Sequence, residues 1–494
     1  MKKLIFLSVF MTTTLFAQTK VGIFENSGDI GKVKHPGSAV FNSENEMYTI
    51  KASGKNLWAN DDEFHFVWKK ASGDFIMYAT IKMIGQGVDP HRKTGLMIRK
   101  SLDPTSAYAD IAIHGDGLTS LQYRSQDAAV TEEIPSIQKH FSIIQLEKTG
   151  NRITAKVAHP GEPLQLVGSI DINFGDGDFY VGLLGCSHNP DVTEEFELTN
   201  VRYTVPAASN FVPYKDYIGS KLEILDVTTG LRKVIYESKI PFEAPNWTRD
   251  GKSLIYNSKG KIYSIPATGG QPVEINTDFA IANNNDHGLS ADGKMLAISH
   301  HAADRNGGST VYIVPVTGGI PKVVTDKSPS YWHGWSPDGK FLLYTGERNK
   351  EYDIYRMPVE GGTEVRLTNA PGLDDGSEYS PDGKYIYFNS NRTGTMQIWR
   401  MKADGSDQEQ VTFDDYNDWF PHISPDGKSI IFISYPNTVA SGDHPYYKHV
   451  MLRTLPLNGG AIKVVAHIYG GQGTFNVPSW SPDGKKVAFV SNSN

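Results

Sequence analysis

Tyr331 to Lys340 reads YWHGWSPDGK. Its second half, an aromatic or aliphatic residue, then Ser or Thr, then Asp-Gly-Lys, keeps returning downstream of residue 240. The triplet begins at Asp250, Asp292, Asp338, Asp382, Asp426 and Asp483, with spacings of 42, 46, 44, 44 and 57 residues, which is the length of a four-stranded propeller blade. The turn chemistry explains the motif. Pro337 presets φ, the Asp338 carboxylate can bond nearby backbone, and Gly339 accepts the positive φ that a tight hairpin needs. An alternating apolar strand follows each triplet: SLIYNS, MLAISH, FLLYTG, YIYFNS, SIIFIS and KVAFVS. A third strand (KIYSIP, TVYIVP, DIYRMP, QIWRMK, VMLRTLP), a glycine hairpin and a fourth strand such as PKVVT complete the unit.

Six repeats predict six blades. The stretch KKVAFVSNSN completes only the first two strands of a last blade, whereas KLEILDVTTGLRKVIYE, residues 221–237, supplies third and fourth strands with no first pair of their own. Pairing the two closes the ring and removes exposed sheet edges.

The SPDGK turns, the Gly-Gly hairpins and the loop Ser390-Asn391-Arg392-Thr393-Gly394 resemble the TolB-type six-bladed propeller family with its PD40, WD40-like repeats, over about residues 216 to 494. Propellers similar to this one serve as scaffolds, binding modules, peptidase gates and polysaccharide lyases, so the motif speaks to fold and not to activity. No Gly-x-Ser-x-Gly elbow, phosphate loop or paired-Cys metal motif occurs in the sequence, which leaves the peptidase-gate reading without a hydrolase domain.

Upstream, residues 20–205 carry no such repeat. Segments such as FHFVW, FIMYATIKMI and FSIIQLEKTGNRITAKVA alternate strongly between turns, as an antiparallel sandwich does. GLMIRKSLDPTSAY, GLTSLQYR and FELTNVRY resemble the concanavalin-like jelly-roll domains found beside carbohydrate-active modules. The expected fold class is therefore all-β, with a β-sandwich at 20–205, a linker at 206–216 and the propeller at 217–494. A glycan-recognising sandwich would stack an exposed aromatic on a sugar ring. Trp58, beside Asn60, Asp61 and Asp62 in NLWANDDEF, is the candidate, with a core-edge cap as the alternative. Phe64, Phe66 and Trp68 share one face at period two and read as core. Arg99 and Arg124 read as solvent-facing strand residues.

The 494 residues include 39% hydrophobic and 11% aromatic side chains, 48 Gly and 27 Pro, which suits a turn-rich β protein. A net charge of −7 without a basic stripe argues against nucleic acid and anionic membrane surfaces as partners. Two lysines and a short apolar run ending near Ala17 predict a signal peptide at residues 1–17, hence a periplasmic or secreted protein without a transmembrane segment in its mature form. The sole cysteine, Cys186 in FYVGLLGC, reads as a buried small hydrophobe.

In a propeller, the residues before the first strand and after the second converge on one funnel, where ligands bind. Aligned on the Asp of each triplet, the pre-strand segments are EAPNW, NDHGL, YWHGW, DGSEY, WFPHI and NVPSW. This face collects His287, His333 and His422 with Glu243, Asp286, Asp375 and Glu378, and the strand-two exits add Arg392 among others; the funnel candidates are His287, His333, Glu378, Arg392 and His422. Three histidines with carboxylates nearby have the ligand types for a divalent metal at His287, His333 and His422, or for acid and base roles on a uronic acid; no other cofactor is implied. Oligogalacturonate lyases, whose propeller is similar, use a His-rich metal site, but DWFPHISPDGK holds one His where that family clusters several. His287 and His333 lie five residues before their Asp and His422 four before, so regular strands would point them to opposite sides. His300 and His301 read as loop residues. Trp247, Trp335, Tyr379 and Trp480 recur at one index and read as packing between blades. The functional expectation is an extracytoplasmic binding or scaffolding protein whose funnel takes a carbohydrate, a peptide or an envelope protein; the alternative is a lyase acting on acidic oligosaccharides.

Overall fold

The computed structural model describes residues 20–175 and 177–494; the expected signal peptide lies outside the described residues. Two antiparallel sheets come first. One orders its strands as Asn26–Ile30, Asp61–Ala71, Phe179–Cys186, Lys93–Arg99, Tyr108–His114, Thr119–Arg124 and Glu132–Pro135, with Asn56–Trp58 hairpinned onto Asp61–Ala71. The other runs Gln165–Asp171, Arg152–Ala158, Ile143–Thr149, Phe75–Met83, Glu194–Thr204, Met47–Ala52 and Ser38–Asn42. Strand alternation sends Val67, Leu96, Ile98, Ile111 and Leu183 of the first sheet against Ile50, Met77, Leu146, Ile153 and Phe196 of the second, and these form one apolar core.

The opposite face of the first sheet is also covered. Phe64 and Phe66 pack there with Leu57, Met97, Tyr108 and Cys186, so the FHFVW strand is buried on both faces. This covering corrects the reading of Arg99 and Arg124 as solvent-facing. Both are fully buried, and both bind Asp62: Arg124 Nη2 to Oδ1 at 2.7 Å and Arg99 Nη2 to Oδ2 at 3.4 Å. Backbone carbonyls of Ser101 and Asp103 accept from Arg99 and those of Ser106 and Ala129 from Arg124. Two guanidinium groups are held out of water because a carboxylate and a shell of carbonyls replace it.

Five sheets of four strands follow in chain order: blade 1 at residues 243–275, blade 2 at 283–323, blade 3 at 330–366, blade 4 at 374–410 and blade 5 at 417–470. Their first strands neighbour one another around a ring. Blade 6 joins the two ends of the propeller: Lys486–Ser493 pairs antiparallel with Gly219–Asp226 over eight register partners from Gly219↔Ser493 to Asp226↔Lys486, and Arg232–Ser238 adds the outer strand. Trp480 bridges Val487 on the inner side.

Each Asp-Gly-Lys turn is built alike. The Ser or Thr hydroxyl two residues before the Asp donates to Oδ1 at 2.6–2.7 Å, and the Lys backbone N–H donates to the same oxygen at 3.1 Å. The glycine between them sits at φ of 68–71°, the left-handed region that glycine enters without Cβ strain. The recurrent aromatic does pack between blades: Trp335 Nε1 donates to Gly288 O and Trp480 Nε1 to His422 O, both at 3.0 Å and both onto the preceding blade.

The first unit rests on blades 5 and 6. Gly161 bridges Val464, and Arg202 pairs with Glu46 of its own unit and with Glu223 of the ring. Residues 206–216 run along blade 5, where Ala207 N–H donates to Tyr469 Oη and Phe211 meets the Tyr447 ring edge-on at 4.9 Å. His300 and His301, read as loop residues, are the last two residues of the strand Met295–His301.

Candidate functional site

Where the first strands meet, the ring encloses a cavity of about 1000 Å³. Its wall has a sequence index. The residue seven before the Asp of the turn, the first letter of each aligned segment, is Glu243, Asn285, Tyr331, Asp375, Trp419 or Asn476, and all but Trp419 line the cavity. In blade 5 His444 takes that place, its ring set edge-on against Trp419 at 4.5 Å.

Every first strand from blade 1 to blade 5 shifts register on its way inward, and these shifts decide which side chains reach the cavity. In blade 3, Trp332 opposes Tyr344 and Gly334 opposes Leu343, so His333 is the extra residue of a bulge and turns to the cavity. In blade 2 the irregularity falls before His287, which resumes the ladder opposite Ile298, and the preceding Asn285 and Asp286 face the cavity instead. In blade 5 the shift lies between Trp419 and His422; Phe420, at φ of 53°, lines the wall while His422 re-enters the ladder opposite Ile431.

The expected funnel set therefore separates. His333 alone of the five lines the cavity. His287 is fully buried in blade 2, and burial holds its imidazole down at about 4, neutral at pH 7. His422 is engaged at both nitrogens, Nδ1 at 2.7 Å from Glu378 Oε2 and Nε2 at 3.3 Å from Phe475 O, which ties blades 4, 5 and 6 together. Arg392 clamps Asp374 through Nη2 at 2.8 and 2.9 Å. The three histidines read as metal ligands do not share a site, and among the described residues no group of three His, Cys, Asp or Glu is spaced to hold a metal ion.

Around His333 stands an acidic cluster. Its Nε2 lies 2.7 Å from Asp375 Oδ1, and the Thr345 hydroxyl donates to the same oxygen at 2.6 Å. Burial disfavours the imidazolium, but Asp375 and Asp286 outweigh it and raise His333 above its ordinary value. Asp375 is itself penalised by burial, yet His333 and Thr345 bring it down to about 2. Asp286 and Glu243 behave in the opposite way: burial pushes each up to about 7. Glu243 accepts from Tyr446 Oη at 3.0 Å and from Asn285 Nδ2 at 3.1 Å, and Asp286 is in no ion pair among the described residues.

Aromatic faces complete the wall. Tyr331 and Phe420 come from the first strands, Tyr446 from the long connection of blade 5 and Tyr217 from the entry to the ring, where it meets Tyr446 edge-on at 5.6 Å. Tyr446, His444 and Gln472 sit in the insertions that stretch the last spacing to 57 residues, the one signal in the sequence that marks them. Away from the ring, Trp58 is 39% exposed at the tip of its hairpin.

A family profile described as TolB beta propeller domain, PD40, matches residues 328–444. An uncharacterized protein of Agrobacterium fabrum is 47% identical over 272 residues, 55% of this chain and 92% of its own length. The solved structure of a putative TolB from Agrobacterium tumefaciens is 45% identical, covers 56% of this chain and all of that one, and superposes with a TM-score of 0.54. TolB from Acinetobacter baumannii matches at 18% identity over 65% of this chain and 80% of that one, with a TM-score of 0.39. With six closed blades, the profile over blades 3 and 4 and the first two strands of blade 5, and a relative matched at 47% over nearly its whole length, this chain belongs to the TolB-like PD40 β-propeller family.

Proposed function

We propose that the protein is an extracytoplasmic binding protein whose propeller cavity takes a carbohydrate. TolB-like kinship supports a binding or scaffolding role, and the composition of the cavity wall is the observation that carries the ligand class. Tyr331, Tyr446 and Tyr217 offer ring faces, Asn285, Asn476 and Gln472 offer amides, and Glu243, Asp286 and Asp375 offer carboxyl groups, all on one cavity of about 1000 Å³. Flat apolar faces between fixed donors and acceptors suit a ligand that is apolar above and below its rings and hydroxylated at their edges. A volume at the upper end of small-molecule pockets favours an oligosaccharide over a folded protein partner, which would need a broad flat surface.

The proposed layout is a concanavalin-like sandwich at 20–205, a connecting segment at 206–216 and the ring at 217–494. The sandwich acts as a second glycan-recognising module through Trp58, and the N-terminal leader directs the chain out of the cytoplasm. An acidic oligosaccharide, the substrate class of the lyase alternative, would bring its carboxylates against Glu243, Asp286 and Asp375, so the wall favours neutral or cationic sugars.

A glycan array followed by calorimetry on the mature chain tests this. The expected result is binding that weakens roughly tenfold in Tyr331→Ala, which removes one stacking face, and binding on a separate set of glycans that is lost in Trp58→Ala. An array without hits, or hits all indifferent to Tyr331→Ala, would remove the carbohydrate reading of the cavity.

A further inference from the structure

Buried acids in the ring are consistently paired. Glu223 has Arg202 and Arg232, Asp353 has Arg366, Asp374 has Arg392 and Asp418 has Arg453. Asp286, only 6% exposed, is the exception: it has no cation within ion-pair distance among the described residues, and it faces the cavity. Glu243 across the same wall is likewise held only by the neutral Tyr446 and Asn285. The cations that line the cavity do not fill the gap. His333 is taken by Asp375, Lys259 and His301 are exposed, and burial lowers His444 towards its neutral form.

We propose that the ligand presents a protonated amine to Asp286 and Glu243, so that within the carbohydrate reading, on which this inference rests, the preferred sugars carry a free amino group. A buried carboxylate is stable only when paired, hydrogen-bonded or protonated. Elsewhere in the ring arginine does the pairing; here the ligand supplies the charge. Tyr331 and Tyr446 add faces on which an ammonium is attracted by the ring quadrupole. With no cation beside them, burial holds both carboxyl groups up at about 7. The groups facing them set this balance: Tyr446, Asn285 and Tyr217 around Glu243, and His333, Asp375 and Glu243 around Asp286. Binding of an amine then releases the carboxyl protons.

The test is calorimetry of the mature chain at pH 6.5 in two buffers of different ionisation enthalpy. Three probes are compared: an oligomer of glucosamine, its fully N-acetylated counterpart, and spermine. The glucosamine oligomer should bind about tenfold or more tightly than the acetylated one and release protons. Asp286→Asn should abolish both the preference and the release, and Glu243→Gln should reduce them if Asp286→Asn does not fold. Equal or tighter binding of the acetylated oligomer overturns the amine inference while leaving the carbohydrate reading standing. Tight binding of spermine with no saccharide bound supports the amine and overturns the inference that an amino sugar carries it. Binding of none of the three overturns the amine inference, and the array above judges the carbohydrate reading separately.

Discussion

His333 Nε2 lies 2.7 Å from Asp375 Oδ1, so the bulged residue of blade 3 meets the first strand of blade 4 at the cavity wall. The pair is pH-dependent on both sides. His333 is raised above 6.5, so its contribution is complete below that value and is lost as pH rises through the raised one; Asp375 is lowered from 3.8 to about 2, so its contribution is present above 3.8 and is lost as pH falls towards 2. Asp375→Asn removes the main upward pull and leaves burial in command. The His333 imidazole, followed by NMR, should then titrate below 6.5, about one unit or more under its position in the intact protein. An unmoved titration curve would show that the pair does not act on His333.

The Asp62 triad should be among the costliest single sites in the N-terminal unit. Asp62→Ala leaves the fully buried Arg99 and Arg124 without a carboxylate, a loss of about 3–5 kcal/mol. Asp191→Ala removes the partner of exposed Lys34 and should cost less than about 1 kcal/mol. Urea unfolding of the two variants side by side checks the ranking, and equal costs would mean that the triad is not what holds that face.

Gly288 has no room for a side chain. A Cβ there would stand 2.1 Å from Trp332 Cη2, at the contact between blades 2 and 3. Gly288→Ala should destabilise the ring by about 1–3 kcal/mol, visible as a lower thermal midpoint. Gly339→Ala meets nothing within 4 Å but sits at φ of 71°, so its cost is backbone strain of about 1 kcal/mol.

Removing residues 486–494 deletes the strand that pairs with Gly219–Asp226 and opens the ring. The free edge should promote self-association. Size-exclusion chromatography is expected to show higher oligomers at concentrations where the full chain is monodisperse; a monodisperse, cooperatively melting truncation would mean that closure is dispensable.

Cys186 is fully buried against Leu57 and Phe64, and burial pushes its thiol up to about 11. A thiol reagent at pH 7–8 should therefore label the denatured protein and leave the native one untouched. Labelling of native protein at the rate of a free thiol would contradict the packing of that face.

Blade number, turn positions and ring closure are legible in the sequence because hairpin chemistry is local: Ser336, Asp338 and Gly339 build their turn among themselves, and the repeat copies it six times. Which histidine reaches the cavity is not legible. His287 and His333 hold the same index, yet a bulge at His333 and a resumed ladder at His287 send one to the cavity and the other into the blade. A register shift is settled by how a strand packs against its neighbours, and period-two reading cannot see it. The reading of Arg99 and Arg124 failed for a related reason, since their strands alternate as if one face were wet while the loops that follow them, and Asp62 from a hairpin distant in sequence, cover it. Local residue chemistry determined the ring; long-range packing decided which of its polar groups face a ligand.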